Sequence, residues 1–179
     1  PAVPAGRPAL VEPRPPALAG WMGHATPFAM EVGYRPAMTT ERLRVGTPPI
    51  VQLAMLDAAL DVWEGVDMAS LRMASIYLTE LFIAEVERRC PQMVLASPRD
   101  PQLRGSQVSF SFENGYAAMQ ALIDRGVIGD FRAPDIMRFG FTPLYLDRDD
   151  VVAAAETIAE VIGNELWANP RYQKRFRVT

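Results

Sequence analysis

Three short stretches hold residue types that could do chemistry. The first is "GWMGH", residues 20–24, which sets Trp21 and the chain's single histidine, His24, among glycines. An indole ring can pack while its N–H donates to an anion, and flanking glycines let backbone and ligand approach closely. The plain alternative is an aromatic anchor that pins a loop, with His24 as a hydrogen-bonded surface residue. The second stretch is "GTPP", Gly46 to Pro49. A helix starting there would present unpaired N–H groups and a positive dipole end, Thr47 would add a hydroxyl, and Gly46 would leave room for a phosphate. The plain reading is a helix cap. The third is Arg138 in "IMRFGF". Strand alternation puts Met137, Phe139 and Phe141 on one face and Ile136, Arg138 and Gly140 on the other. A guanidinium fork there could grip a carboxylate in two places, or simply pack its stem with the head in water or in an ion pair.

Other chemistries are excluded by count. A structural zinc needs about four Cys or His ligands, and the chain has one of each. No serine sits in a G-x-S-x-G elbow, and neither dinucleotide glycines nor a Walker sequence occurs. Cys90, at the end of a helical pattern, reads as structural or incidental. The charged residues total 22% with a net charge of −3, and they form no basic stripe, which argues against nucleic acid as partner. No apolar run approaches the roughly 20 residues of a membrane span, and no signal-peptide layout opens the chain. With one cysteine there is no intrachain disulfide, so a soluble, cytoplasmic protein is expected.

The elements that must position these residues follow from periodicity. Six of the 16 prolines fall in the first 20 residues, which should run extended. Residues 20–46 read as an ordered loop. Thr47 as N-cap, Pro48 at the first helical position and Gly65 as stop delimit one helix. A longer helix should run from about Asp67 to Arg89, with Leu71, Ala74, Leu78, Leu81 and Phe82 on its buried face. Then come a strand in "QMVLAS", a strand in "SQVSFSF", a helix closed by Gly126, strands in "VIGDFR" and "IMRFGF" around the turn "APD", and a last helix capped by Asp147. In that helix Val152, Ala155, Ala159, Ile162 and Leu166 form the expected buried stripe. The order predicts an α/β fold whose small, mainly antiparallel sheet is covered by helices on one face.

"GWMGH", "RVGTPPI" and "DIMRFGFTPLY", in this order and spacing, resemble the C-terminal part of kynureninase, a pyridoxal-phosphate enzyme family with the aspartate-aminotransferase-like fold. The resemblance covers nearly the whole chain, "RGVIGDFR" included, and the opening "PAV" looks like the tail of a turn that follows the family's lysine. It implies a fold-type I C-terminal small domain at residues 91–179, a helical connection between lobes at 47–90, and at 1–46 an extended segment belonging to the active-site region of the large domain. It implies pyridoxal 5'-phosphate as cofactor and hydrolysis of L-kynurenine to anthranilate and L-alanine, a step of tryptophan catabolism. Trp21 and Thr47 would bind the cofactor phosphate, reaching into the neighbouring subunit of a homodimer with shared active sites. Arg138 would hold the substrate carboxylate, and Gly46 and His24 would lie near its aromatic ring. Where some members carry Ser-Asn, the smaller Gly46-Thr47 pair implies a preference for kynurenine over its 3-hydroxy form.

Two departures qualify that picture. The lysine that binds the cofactor and the aspartate that pairs with its pyridine nitrogen are absent, so no catalytic residue is assigned here. The chain alone is expected to be inactive without the remaining N-terminal part of the enzyme. Two other readings stand beside it: a non-catalytic α/β ligand-binding or dimerisation module, and another enzyme of the same fold such as a cysteine desulfurase, which would need a reactive cysteine on a mobile loop.

Overall fold

The computed structural model describes residues 16–174, so the proline-rich start up to residue 15 lies outside the described residues. The chain divides into two compact units at Glu64 and Gly65.

In the first unit, a single turn of 3-10 helix at Trp21–Gly23 leads into a loop tied by a bridge between His24 and Pro36. A second turn follows at Thr40–Leu43, where the Thr39 side chain accepts from the Glu41 N–H. Helix α1 spans Ile50–Leu60 and tightens into a 3-10 turn at Asp61–Trp63. Gly65 stops it with φ +73°, a left-handed conformation that suits glycine. The expected cap is displaced. Thr47 and Pro48 each precede a proline, which disfavours helical backbone at both positions. The helix therefore begins after Pro49, which occupies the N-cap without a side-chain cap bond. α1 is apolar almost all round and none of its residues is buried within this chain.

The second unit opens with helix α2, Met68–Arg89, whose N-cap Asp67 accepts from the Ser70 N–H at 2.8 Å. Strands β1 (Val94–Leu95) and β2 (Gln107–Ser111) follow, then helix α3 (Gly115–Ile123), strands β3 (Asp130–Arg132) and β4 (Ile136–Gly140), helix α4 (Arg148–Gly163) and the short α5 (Pro170–Gln173). The four strands form one sheet in the order β1-β2-β4-β3, every pairing antiparallel. Val108 and Phe110 of β2 and Met137 and Phe139 of β4 are buried, while Ser109, Arg138 and Gly140 alternate onto the other, more open face. The expected one-sided α/β arrangement is thus the observed one.

Phe82 of α2 is the hub of the core. Its ring lies 4.9 to 6.1 Å from those of Phe141, Phe139 and Phe110. Around it the buried stripes differ from the expected ones. On α2 the buried residues are Ser75, Leu78, Thr79, Phe82, Ile83 and Val86. Leu78 and Phe82 thus lie on the expected face, Leu81 packs only partly buried against the core, and the stripe is rotated away from Leu71 and Ala74. The two hydroxyls are tolerated there because both are bonded: Ser75 to the Ser106 hydroxyl at 2.6 Å and Thr79 to the Ser75 carbonyl at 2.9 Å. On α4, Val151 and Ile158 are buried in place of Val152 and Ala159. Leu166 lies beyond the helix, in a 3-10 turn at Leu166–Ala168, half-buried against the core. Asp147 caps α4 in a full capping box with Asp150.

Candidate functional site

The glycines around Trp21 are there for the chain itself. A Cβ at Gly20 would stand 1.6 Å from the Val45 carbonyl oxygen, and one at Gly23 would stand 2.6 Å from that of Arg42. The backbone of 42–45 therefore runs directly against 20–23. Trp21 keeps 46% of its surface exposed and meets Phe28 edge-on at 5.5 Å. Thr47, relieved of the capping role, is exposed. At Gly46 a Cβ would have nothing within 4 Å. An indole N–H, an exposed hydroxyl and an open glycine are group types compatible with a phosphate.

His24 faces inward. It is 9% exposed, its Nδ1 accepts from the Thr26 N–H at 3.0 Å, and its ring meets Tyr34 edge-on at 5.8 Å. Nε2 is buried without a hydrogen bond among the described residues, 3.9 Å from a Glu31 carboxylate oxygen. Arg35 and Thr26 bond Glu31 and hold its carboxyl below the usual range. Tyr34 in turn donates to the Gly23 carbonyl at 3.1 Å, so the imidazole is held by the loop's own ring and hydrogen-bond contacts.

In the second unit Arg138 sits on β4 between two neighbours, paired with Ser109 of β2 and Asp130 of β3. Its Nε and Nη2 donate to the two carboxylate oxygens of Asp130 at 2.5 Å each. That fork holds the Asp130 carboxyl below its ordinary range and raises Arg138. Arg132 adds a second cation 3.5 Å from Asp130. Gly140, next to Arg138 on the same face, has open space where a side chain would stand. Trp21, His24, Gly46 and Thr47 thus share the first unit, and Arg138 belongs to the second.

Asp130 was not anticipated as part of this arrangement. The signal was present: a hairpin centred on Pro134 pairs residues 130 with 138, 131 with 137 and 132 with 136, the register observed.

Among the described residues no cluster of His, Cys, Asp and Glu could hold a metal ion, and no helix is long and apolar enough to cross a membrane. Cys90, which a desulfurase would need mobile and reactive, is wholly buried. Burial pushes its thiol above the usual range, against a weaker opposing effect of the Arg89 charge.

Residues 71–158 match the family described as kynureninase C-terminal domain. A kynureninase of Pseudomonas fluorescens is 49% identical over 174 residues, spanning 96% of this chain and 42% of that protein. By sequence the chain matches the C-terminal part of kynureninases. A kynureninase of Burkholderia mallei (strain SAVP1) is 46% identical over 164 residues, 90% of this chain and 39% of its own length. This chain therefore spans about two fifths of the length of those kynureninases.

Solved structures show the same fold at low identity. The apo cysteine desulfurase of Thermococcus onnurineus NA1 aligns over 83% of this chain and 40% of its own, with TM-score 0.67 at 16% identity. The cystine C-S lyase C-DES, in complex with its product cysteine persulfide, aligns over 81% of this chain and 38% of its own, with TM-score 0.66 at 20% identity. A C-DES variant carries glycine covalently linked to its pyridoxal-phosphate cofactor. The fold is that of fold-type I pyridoxal-phosphate enzymes, and within it kynureninase sequences match far more closely than the desulfurases do.

Proposed function

We propose that this chain supplies the C-terminal part of a pyridoxal-phosphate-dependent kynureninase. The reaction is hydrolytic cleavage of L-kynurenine to anthranilate and L-alanine, in the kynurenine route of tryptophan catabolism. The observation that carries the reading is Arg138: a guanidinium on the open sheet face, already holding one carboxylate in a fork, with a side-chain-free glycine beside it. An α-amino acid brings the anion such a group recognises. The 49% identity over almost the whole chain supports kynurenine as the substrate class.

When bound, the cofactor supplies an electron sink for chemistry at the α- and β-carbons of the amino acid. This chain's residues bind and orient. Trp21 and Thr47 hold the cofactor phosphate through indole and hydroxyl hydrogen bonds. Arg138 grips the α-carboxylate and fixes the direction of the scissile bond. His24 and Gly46 lie near the aromatic ring, and the small Gly46 and Thr47 favour kynurenine over 3-hydroxykynurenine. Residues 1–46 belong with the active-site region of the large domain, 47–90 form the connection between lobes, and 91–179 form the small domain. The working form is a cytoplasmic homodimer whose two chains share each site, and the remaining N-terminal part supplies the lysine that binds the cofactor. The chain alone is inactive in this reading, because its single lysine, Lys174, lies at the far end of the small domain.

Anthranilate release from L-kynurenine by the full-length protein, followed by fluorescence with and without added pyridoxal phosphate, tests the proposal. Cofactor-dependent release that Arg138→Ala weakens chiefly through KM supports it. A full-length, cofactor-loaded protein that releases no anthranilate overturns it.

A further inference from the structure

We infer that Asp130 is the positioning residue for Arg138: it locks one edge of the guanidinium so that the other edge stands ready for the substrate carboxylate. This rests on the reading that Arg138 binds that carboxylate.

A guanidinium carries five N–H donors in one plane. Asp130 takes the side edge, Nε and Nη2, at 2.5 Å each. The end edge remains, formed by Nη1 and the outer hydrogen of Nη2, and Nη1 has no hydrogen-bond partner among the described residues. One arginine can thus hold two carboxylates at once, one along its side and one at its end. The charges agree. Arg138 and Arg132 face a single carboxylate, Asp130, which leaves one positive charge for an incoming anion.

The backbone is built for this pairing. Asp130 begins the edge strand β3 directly opposite Arg138. The residue before it, Gly129, lies where a Cβ would stand 2.6 Å from the Arg138 carbonyl oxygen and 2.8 Å from the Met119 methyl carbon. Any side chain there would push β3 off β4 and carry Asp130 away from the fork. On the other flank Ser109 is too short to reach across and compete, and Gly140 leaves the approach open. An unrestrained arginine must lose its rotamer freedom each time it binds. Asp130 removes that freedom beforehand.

The test uses the full-length, cofactor-loaded enzyme with two ligands: L-kynurenine and its decarboxylated analogue, which keeps the aromatic ketone and amine but lacks the carboxylate. In Asp130→Asn the amide can accept at one position only and turns an NH₂ toward the fork. KM for kynurenine should rise about tenfold with kcat changed less than about threefold, the signature of a weakened carboxylate contact. Calorimetric binding of the decarboxylated analogue should stay within about twofold, because it makes no use of the fork. Asp130→Glu, which restores a carboxylate, should recover part of the loss. An unchanged or lowered KM in Asp130→Asn, the latter meaning that Asp130 competes with substrate, overturns the inference. Equal weakening of both ligands also overturns it, since that marks general structural damage. Arg138→Ala separates this failure from that of the parent reading: if it leaves the preference for the carboxylated ligand intact, Arg138 itself is misassigned.

Discussion

Gly20 lies so close to Val45 that a single methyl group at position 20 would stand 1.6 Å from the Val45 carbonyl oxygen. Backbone atoms cannot yield as a flexible side chain can, so the two loop segments hold together only while residue 20 is glycine. Gly46, one residue beyond Val45, is in the opposite situation, with open space around it. Gly20→Ala should therefore cost about 1–3 kcal/mol of stability, as overpacked sites do. Gly46→Ala should leave the denaturation midpoint unchanged and alter only ligand binding. Urea unfolding of both variants checks the contrast. Equal losses would mean that the close contact at Gly20 does not constrain this loop.

The second unit depends on one ring more than on any other. Phe82 is 1% exposed and touches aromatic rings from β2, β4 and the segment after β4. Removing it leaves a cavity between helix and sheet that no neighbour on a rigid strand can fill. Phe82→Ala should cost about 3–5 kcal/mol, read as a lowered midpoint in denaturant. Met73→Ala, on the exposed side of the same helix, should shift it little, and a comparable loss there would point to helix propensity instead of packing.

The sequence carried the strand pattern of this unit well and its helix faces less well, for a physical reason. β4 alternates large apolar residues with Arg138 and Gly140, and burial alternates with them. On α2 the buried stripe includes Ser75 and Thr79. A hydroxyl reads as outward-facing until its partner is known, and Ser106 lies 31 residues away. Arg104 was hidden in the same way. It is buried, donating to the Pro98 and Arg99 carbonyls at 3.0 and 2.7 Å and paired with Glu80. Of the candidate site, the arginine and its face were legible from alternation. The displacement of Thr47 from its cap follows from the two prolines after it. Asp130 needed the hairpin register, a tertiary fact that no single strand reveals.

The Asp130–Arg138 pair should also leave a mark on acid stability. The fork holds the folded carboxyl below its ordinary value, so the sign is that of a depressed acid. Above the unfolded value near 3.9 the ionised pair contributes in full, and the contribution disappears as pH falls through the folded value. Asp130 is 47% exposed, so solvent screens the pair and the effect is modest. The stability difference between the parent protein and Asp130→Asn should be constant from pH 7 to about 5 and shrink below about pH 4. Glu31, Asp67 and Glu85 are lowered too, but they cancel in that difference. A difference that grows toward low pH would contradict a depressed Asp130.

Cys90 closes α2, and its place in the fold fixes its reactivity. The side chain is fully buried among the core residues, and its N–H donates to the Val86 carbonyl at 2.7 Å. Thiolate is the reactive form, and an apolar setting disfavours it. Arg89 pulls the other way, but burial dominates. An aromatic disulfide reagent should therefore find almost no reactive thiol in the native protein at neutral pH and one thiol per chain in guanidinium chloride. Raising the pH toward 9 should speed the native reaction far less than it speeds the reaction of the unfolded chain, because access and not ionisation alone is limiting. Rapid native labelling at neutral pH would mean an exposed, ionised Cys90, the property that a desulfurase-type use of this cysteine requires and that a wholly buried thiol does not offer.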